Sequence, residues 1–231
     1  MRVQLFATCL GDLIFPDAVA DAEVLLRRAD CEVEFPEAQI CCGQPAFNSG
    51  HRAAARRVAQ TFVKAFSRSA PIVCPSGSCA TMVAHYLPEL VGVEPFEVWE
   101  LSAFLDDRGG SVPRKNEGKR VAYHDSCHML RELHIADAPR RLLERSGAEL
   151  VPLPRPDLCC GFGGTFSVKF GDISSEIARK KCARIAESGA AAVVLGDLGC
   201  MLNIEGRLRK DGDTRTRVLH IAEVLAGMDG R

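Results

Sequence analysis

The sequence predicts an α/β protein of two tandem, pseudo-repeated domains, each a parallel sheet flanked by helices. Cys9 recurs 118 residues later as Cys127, and the Cys-Cys-Gly motif at 41–43 recurs at the same offset at 159–161. Short apolar runs alternate with helix-length segments in the same order in both halves. A repeat of this length indicates two related domains, and regular alternation of strands and helices indicates parallel sheets covered by helices.

The elements of the first half follow one another closely. Short apolar runs are typical of buried strands, whereas apolar or small residues recurring on one face indicate helices. The predicted order is a strand at 3–8, a helix at 17–29, a strand at 32–35, the Cys-Cys-Gly turn, a helix at 51–66, a strand at 72–73 and a strand leading into a helix at 97–105.

A linker separates this series from its repeat. Residues 106–120 hold eight charges, three glycines and a proline without apolar periodicity, which is typical of a connecting segment. The predicted domains are therefore 1–112 and 113–231. The second contains a strand at 121–124, a helix at 139–146, a strand at 149–151, the second Cys-Cys-Gly turn, a helix at 172–187, a strand at 192–195 and a closing segment at 218–225.

Composition limits the partners and the compartment. A formal net charge of −1 and a pI of about 6.6 argue against nucleic acid as a partner. The chain opens on a strand pattern and has no long apolar run, so we expect a cytoplasmic protein without membrane insertion. Thiols stay reduced in the cytosol, so eleven cysteines indicate metal or redox chemistry rather than a disulfide scaffold.

Eight of the cysteines form two sets of four. Each half has one cysteine, a vicinal pair 32 residues later and a fourth cysteine about 40 residues beyond the pair. The first and fourth cysteine of each set follow strand-like runs, so we expect both sites at the carboxyl edges of the sheets. The predicted cofactor-binding residues are Cys9, Cys41, Cys42 and Cys79 in the first domain and Cys127, Cys159, Cys160 and Cys200 in the second.

Four thiolates can saturate either a zinc ion or a cubane iron–sulfur cluster. Structural zinc sites usually use a Cys-x-x-Cys turn, whereas adjacent cysteines diverge and suit a larger group whose separate irons they can reach. The glycine after each pair lets the backbone approach a cluster. The pattern favours an iron–sulfur cluster of the 4Fe–4S type, with zinc and metal-free dithiol chemistry as alternatives.

Three cysteines lie outside the two sets. Cys182 falls on a helix face with Ile185, which predicts core packing. Cys31 precedes a strand and has no counterpart in the repeat. Cys74 ends a strand five residues before Cys79, which makes it a possible extra ligand.

The second set has polar neighbours that suggest a functional site. Imidazole can ligate metal, move protons or donate hydrogen bonds to cluster sulfurs, and arginine can present positive charge to a cluster or a carboxylate. The candidates for a catalytic role are His124, His128 and Arg131; the alternatives are a structural histidine, a helix cap and a solvated arginine. The glycine-rich stretch 161–166 lacks the spacing of a phosphate or dinucleotide loop.

Five motifs carry a resemblance to a known family: CCGQPAFNSG from 41, CPSGSC from 74, YHDSCHMLREL from 123, CCGFGGTFSVK from 159 and GDLGCMLNI from 196. In these motifs the chain resembles the cysteine-rich CCG-domain proteins, which include one of the subunits of heterodisulfide reductase and the iron–sulfur subunit of glycolate oxidase. The resemblance is strongest to the lactate-utilisation members. It implies a cytosolic iron–sulfur subunit that works with a larger iron–sulfur protein and a third soluble protein to oxidise L-lactate to pyruvate.

The last motif of each half departs from the family's Cys-x-x-Cys pattern. Ser76 and Asp197 stand where the family has the first of those two cysteines, so each half keeps four thiolates. Asp197 is a possible extra oxygen ligand, whereas a protonated serine is a poor one. The departure makes the two sites inequivalent and weakens the case for a heterodisulfide-cleaving reaction. A thiol or heterodisulfide reductase subunit and a zinc-stapled, non-catalytic scaffold are the alternative functions.

Overall fold

Two separate parallel sheets of four strands organise the molecule, in a computed structural model that describes residues 1–227. The first sheet has the order β2-β1-β3-β4, with β1 (Arg2–Leu5), β2 (Glu32–Glu34), β3 (Ile72–Cys74) and β4 (Val98–Glu100). The second has the order β6-β5-β7-β8, with β5 (Arg120–Tyr123), β6 (Glu149–Leu150), β7 (Ala192–Leu195) and β8 (Arg217–His220). Every pairing in both sheets is parallel, which confirms the predicted fold class.

Helices connect and cover the strands. Those of the first half are α1 (Cys9–Leu13), α2 (Pro16–Arg28), α3 (Gln44–Asn48), α4 (Arg52–Ala65), α5 (Gly77–Thr81), a π-helical turn (Met82–Tyr86), α6 (Leu87–Val91) and α7 (Leu101–Asp107). Those of the second half are α8 (Cys127–Arg131), α9 (Asp137–Arg145), α10 (Phe166–Lys169), α11 (Gly171–Ser188), α12 (Leu198–Lys210) and α13 (Ile221–Ala226). Across residues 1–227, no helix has the length and apolar character needed to cross a membrane.

The two halves pack together through reciprocal contacts of equivalent helices, the arrangement that a pseudo-twofold axis produces. Helix α2 of the first half lies against α13 of the second, and the corresponding helices α9 and α7 lie against each other in the same way. One buried apolar cluster draws side chains from both halves, including Leu25, Phe104, Leu142 and Leu225. The halves therefore share a core although their sheets are separate.

The segment that connects the halves is only partly a surface linker. Helix α7 continues into it as far as Asp107, and the boundary expected between residues 112 and 113 falls in the following stretch, which has no helix or strand. Asn116 is fully buried and donates a hydrogen bond to the Val224 carbonyl at 2.8 Å. The polar composition of this segment therefore did not reveal that the linker is hydrogen-bonded to α13.

Helix α12 is the longest element that the sequence pattern failed to predict. Gly199 and Gly206 lie within it, and glycine lowers helix propensity by about 1 kcal/mol relative to alanine. Burial of Ile204 and Leu208 on the side facing the sheet offsets that cost. The helix carries Cys200 in its first turn, so this unpredicted element positions a predicted ligand.

Equivalent helices α7 and α13 begin at different buried caps, Glu100 and His220. The Nδ1 of His220 accepts a hydrogen bond from Ala222 N at 3.2 Å, and burial lowers the pKa of this imidazole to about 4. Between pH 6.5 and about 4, the unfolded chain therefore binds a proton that the folded chain does not.

We expect His220 to make the protein acid-labile over this range. As the pH falls through it, the free energy of unfolding should drop by roughly 3 kcal/mol on account of this one group. His220→Asn keeps a cap acceptor but does not titrate. Urea unfolding at several pH values should therefore give a flatter pH dependence for the variant, and identical slopes would show that the imidazole does not contribute.

Candidate metal centres

Each half brings its four predicted cysteines together at the carboxyl edge of its sheet. The first cysteine begins the short helix after the first strand, Cys9 in α1 and Cys127 in α8. The fourth lies in the helix after the third strand, Cys79 in α5 and Cys200 in α12. The vicinal pairs lie in the loops between, so strand-to-helix turns present every thiol at one edge, as open α/β folds usually present their ligands.

The sulfur atoms of each set lie in contact. In the first half, the Sγ–Sγ distance is 3.6 Å for Cys9–Cys41 and 3.4 Å for Cys42–Cys79. In the second half it is 3.0 Å for Cys160–Cys200, and Cys127 lies close enough to Cys159 to lower the pKa of the Cys159 thiol. In each vicinal pair, the first thiol thus lies beside the first cysteine of the set, and the second thiol contacts the fourth.

Negative charge concentrates on one thiol of each vicinal pair. The pKa of Cys41 is lowered to about 3 because it accepts hydrogen bonds from the thiols of Cys42 and Cys9. The pKa of Cys159 is lowered to about 2 by the equivalent bonds from Cys127 and Cys160. Donation of those bonds raises the pKa of each donor thiol. One thiolate is therefore stable in each set, whereas four thiolates together require a cation. Metal binding at such a site releases protons.

The donor sets fit a metal ion or an iron–sulfur cluster. Four thiolates complete either one, and sulfurs bound to a single zinc ion lie about 3.8 Å apart, a little farther than the 3.6 and 3.4 Å contacts of the first half and farther than the 3.0 Å contact of the second. A cubane cluster holds its thiolates farther apart and requires the loops to open. Two of the four cysteines in each set are only half-buried, namely Cys9 and Cys41 in the first and Cys127 and Cys159 in the second. Each set therefore has one side from which a larger group can enter.

The glycine after each vicinal pair fixes the loop that carries it. Gly43 and Gly161 both have φ of +88°, in the left-handed region that favours glycine. Each donates its backbone N–H to the thiolate two residues earlier, at 3.4 Å for Cys41 and 3.3 Å for Cys159. The backbone thus stabilises the same two thiolates that the neighbouring thiols stabilise.

Of the three candidate catalytic residues, His124 is buried behind the second set, whereas His128 and Arg131 lie towards the surface. His128 is part of α8 and faces the first half, with its Nε2 3.3 Å from Gln44 Nε2 and its Nδ1 2.6 Å from Glu132 Oε1. Arg131 is exposed, and its charge lowers the pKa of the Cys127 thiol against the larger raising effects of the sulfur contacts and burial. A cavity of about 100 Å³ lies between the halves here, lined by Gln44, Ser78, Cys127, His128, Cys159 and Phe162 among others.

Asp197 joins the two halves. Its Oδ1 accepts a hydrogen bond from Cys200 N at 3.0 Å, which caps α12 in the second half. Its Oδ2 accepts hydrogen bonds from Ser78 N at 2.7 Å and Ser76 Oγ at 3.3 Å in the first half. Both carboxylate oxygens are thus engaged, and the residue holds the two ligand-bearing helices α5 and α12 together.

The other cysteines lie in the core. Cys74 is fully buried and donates to the Ser76 carbonyl at 3.4 Å. Cys182 is buried on α11, with its Sγ 3.8 Å from the Ile204 carbonyl oxygen. Cys31 is buried beside the Ala29 carbonyl, at 3.6 Å.

Sequence reasoning missed one charged residue near the second set. Lys181 on α11 is fully buried, and its Nζ donates to the carbonyls of Arg155 and Pro156 at 3.3 and 2.9 Å. Burial lowers the pKa of this ammonium to about 8. A lysine within the buried face of α11, one residue before Cys182, was the available signal, because lysine is rarely buried without a partner.

The fold and the two thiol sets define a duplicated, cysteine-rich α/β protein. Residues 3–84 and 121–205 each match the family described as the CCG cysteine-rich domain. This chain therefore belongs to the CCG cysteine-rich domain family, with one copy of the domain in each half.

The chain is similar to known proteins over nearly its whole length. The chain is 44% identical to lactate utilization protein A of Geobacillus sp. (strain WCH70), an alignment that covers 97% of this chain and 99% of the relative. It is 45% identical to lactate utilization protein A of Geobacillus kaustophilus, with 97% and 98% covered. Among solved structures, a hypothetical protein from Helicobacter pylori is similar with a TM-score of 0.58 at 9% identity, over 98% of this chain and 49% of that one. This last likeness concerns the fold alone.

Proposed function

We propose that the chain is an iron–sulfur electron-transfer subunit of a cytoplasmic complex that oxidises L-lactate to pyruvate. The observation that carries the proposal is the convergence of four cysteine sulfurs at the edge of each sheet. Lactate gives up two electrons and two protons on becoming pyruvate, and two redox centres can each accept one electron. The similarity to proteins named lactate utilization protein A supports lactate as the substrate of the complex.

In this proposal the eight cysteines hold the clusters, and the cavity between the halves is the place where another molecule can reach the second cluster. His128 and Gln44 from opposite halves line that cavity and offer hydrogen bonds to a polar group. The partners are a larger iron–sulfur protein and a third soluble protein, which together with this chain form the complex.

The chemical identity of the centres is tested on protein purified without oxygen. We expect a brown protein with broad absorbance near about 400 nm and matching amounts of iron and acid-labile sulfide. A colourless protein that contains zinc and no sulfide would instead support a structural scaffold.

The reaction is tested on the assembled three-subunit complex. Addition of L-lactate should bleach the cluster absorbance of the complex as its clusters, including those of this chain, are reduced, with D-lactate as the matched control. If a disulfide rather than lactate changes the oxidation state of the clusters, the chain is a thiol or heterodisulfide reductase subunit.

A further inference from the structure

The residues behind the two thiol sets differ although the surrounding backbone repeats. His124 follows β5 as Phe6 follows β1, and the two backbone amides donate to Val194 and Val73 carbonyls in equivalent ladders, both at 2.9 Å. Phe6 packs edge to face on Phe62, with ring centroids 5.1 Å apart. In the second half a histidine therefore occupies a position that the first half fills with an apolar ring.

The imidazole of His124 is poorly satisfied by the protein. It is fully buried, and within residues 1–227 neither ring nitrogen has a hydrogen-bond partner of good geometry, although the Pro156 carbonyl lies nearby. A buried polar group without a partner costs about 1–3 kcal/mol. A purely structural histidine at this position would be expected to have such a partner.

The unpartnered ring is directed at the second thiol set. One of its nitrogens and the sulfurs of Cys160 and Cys200 all lie within 4.8 Å of one another. Neutral imidazole is a common metal ligand, and the ring already lies within reach of two thiols that the proposed centre would use.

We propose that His124 is a nitrogen ligand of the metal centre in the second half, alongside its cysteines. The two centres of the chain are then chemically different: the first has sulfur ligands only, and the second has a mixed sulfur and nitrogen set. Imidazole is a harder donor than thiolate and carries no charge. Its presence therefore changes the charge and the electronic properties of the second centre. The inference requires a metal at this site but not the electron-transfer role proposed above.

Cobalt(II) added to metal-free protein tests the inference directly. Cys41→Ser and Cys42→Ser first remove the other site, so that bound cobalt reports on the second half alone. We expect X-ray absorption to show an imidazole nitrogen together with sulfur in the cobalt shell. His124→Phe, which copies Phe6, should give a cobalt shell with sulfur but no imidazole nitrogen. Loss of an outer-shell partner weakens metal binding about 10- to 100-fold, and loss of a direct ligand should weaken cobalt binding by more than that.

His128→Gln is the matched control, because this histidine lies at the same site but faces the cavity. It should leave the imidazole signal and the cobalt affinity unchanged. A sulfur-only cobalt shell in the protein that retains His124 would overturn the inference, and this measurement does not depend on the folding of any His124 variant. Failure to bind cobalt, or an imidazole signal that disappears with His128 instead, would overturn it equally.

Discussion

A chain in which Cys159 and Cys160 are both serine should lose the metal centre of the second half and, within the complete complex, lactate oxidation. A serine hydroxyl stays protonated at neutral pH and is a harder donor than thiolate, so it does not replace a soft ligand. The loss also removes the thiolate that both neighbouring thiols and the Gly161 amide stabilise. Iron and sulfide content, measured beside the oxidation rate, checks both effects.

Cys182→Ala provides the control for that experiment. Cys182 is buried against the Ile204 carbonyl and away from the sulfur contacts of the second set, so its loss should cost only packing, on the order of 1 kcal/mol. Metal content and oxidation rate should stay at the level of the unaltered chain. Full lactate oxidation by the double serine variant would mean that the second site is structural and that the electron-transfer proposal fails there.

Gly161→Ala should destabilise the second half strongly. A Cβ at this position would lie 2.7 Å from the Ser174 carbonyl oxygen on α11, a backbone atom that cannot move without the helix. The left-handed backbone adds about 1–2 kcal/mol of strain for any residue with a side chain, and the overlap adds roughly 1–3 kcal/mol. The loop must then move away from α11 and take Cys159 and Cys160 with it, so metal binding at this site should weaken as well.

Gly43→Ala is the matched comparison in the first half. This glycine has the same φ of +88°, but a Cβ there would meet no atom closer than the Val58 side chain at 3.4 Å, and the nearest backbone oxygen, that of Ala55, would lie at 3.6 Å. The backbone strain is therefore shared by the two variants, whereas the overlap is specific to Gly161. Urea unfolding of both variants should show the larger loss for Gly161→Ala, and equal losses would mean that α11 gives way easily.

The repeated cysteine spacing made the sheets and the thiol sets predictable. Strands before Cys9 and Cys127 were expected from short apolar runs, and the structure has them as β1 and β5. Cysteines spaced alike in two halves imply matching elements between them, because a changed element would change the spacing. The pattern therefore carried information about long-range contacts that ordinary periodicity lacks.

Contacts between side chains distant in sequence could not be predicted in the same way. Asp197 was interpreted as a possible ligand, whereas its carboxylate caps helices in both halves. Lys181 occupies a core position of the α11 pattern, but only the folded chain shows that its ammonium donates to the carbonyls of Arg155 and Pro156. A partner that is distant in sequence leaves no local mark, so these roles required the three-dimensional arrangement.

The hydrogen bond from Ser76 to Asp197 depends on the two halves having different sequences. The two residues occupy equivalent places in the two copies of the domain, and they face each other across the pseudo-twofold axis at 3.3 Å. In a symmetric homodimer, residues that face each other in this way must be identical, which would place two buried carboxylates or two hydroxyls together. Two carboxylates so close together cannot both ionise easily. The pairing of a hydroxyl with a carboxylate therefore requires two halves that are encoded separately. Because both copies of the domain lie in one chain, this contact between them can be asymmetric, with the hydroxyl in one half and the carboxylate in the other.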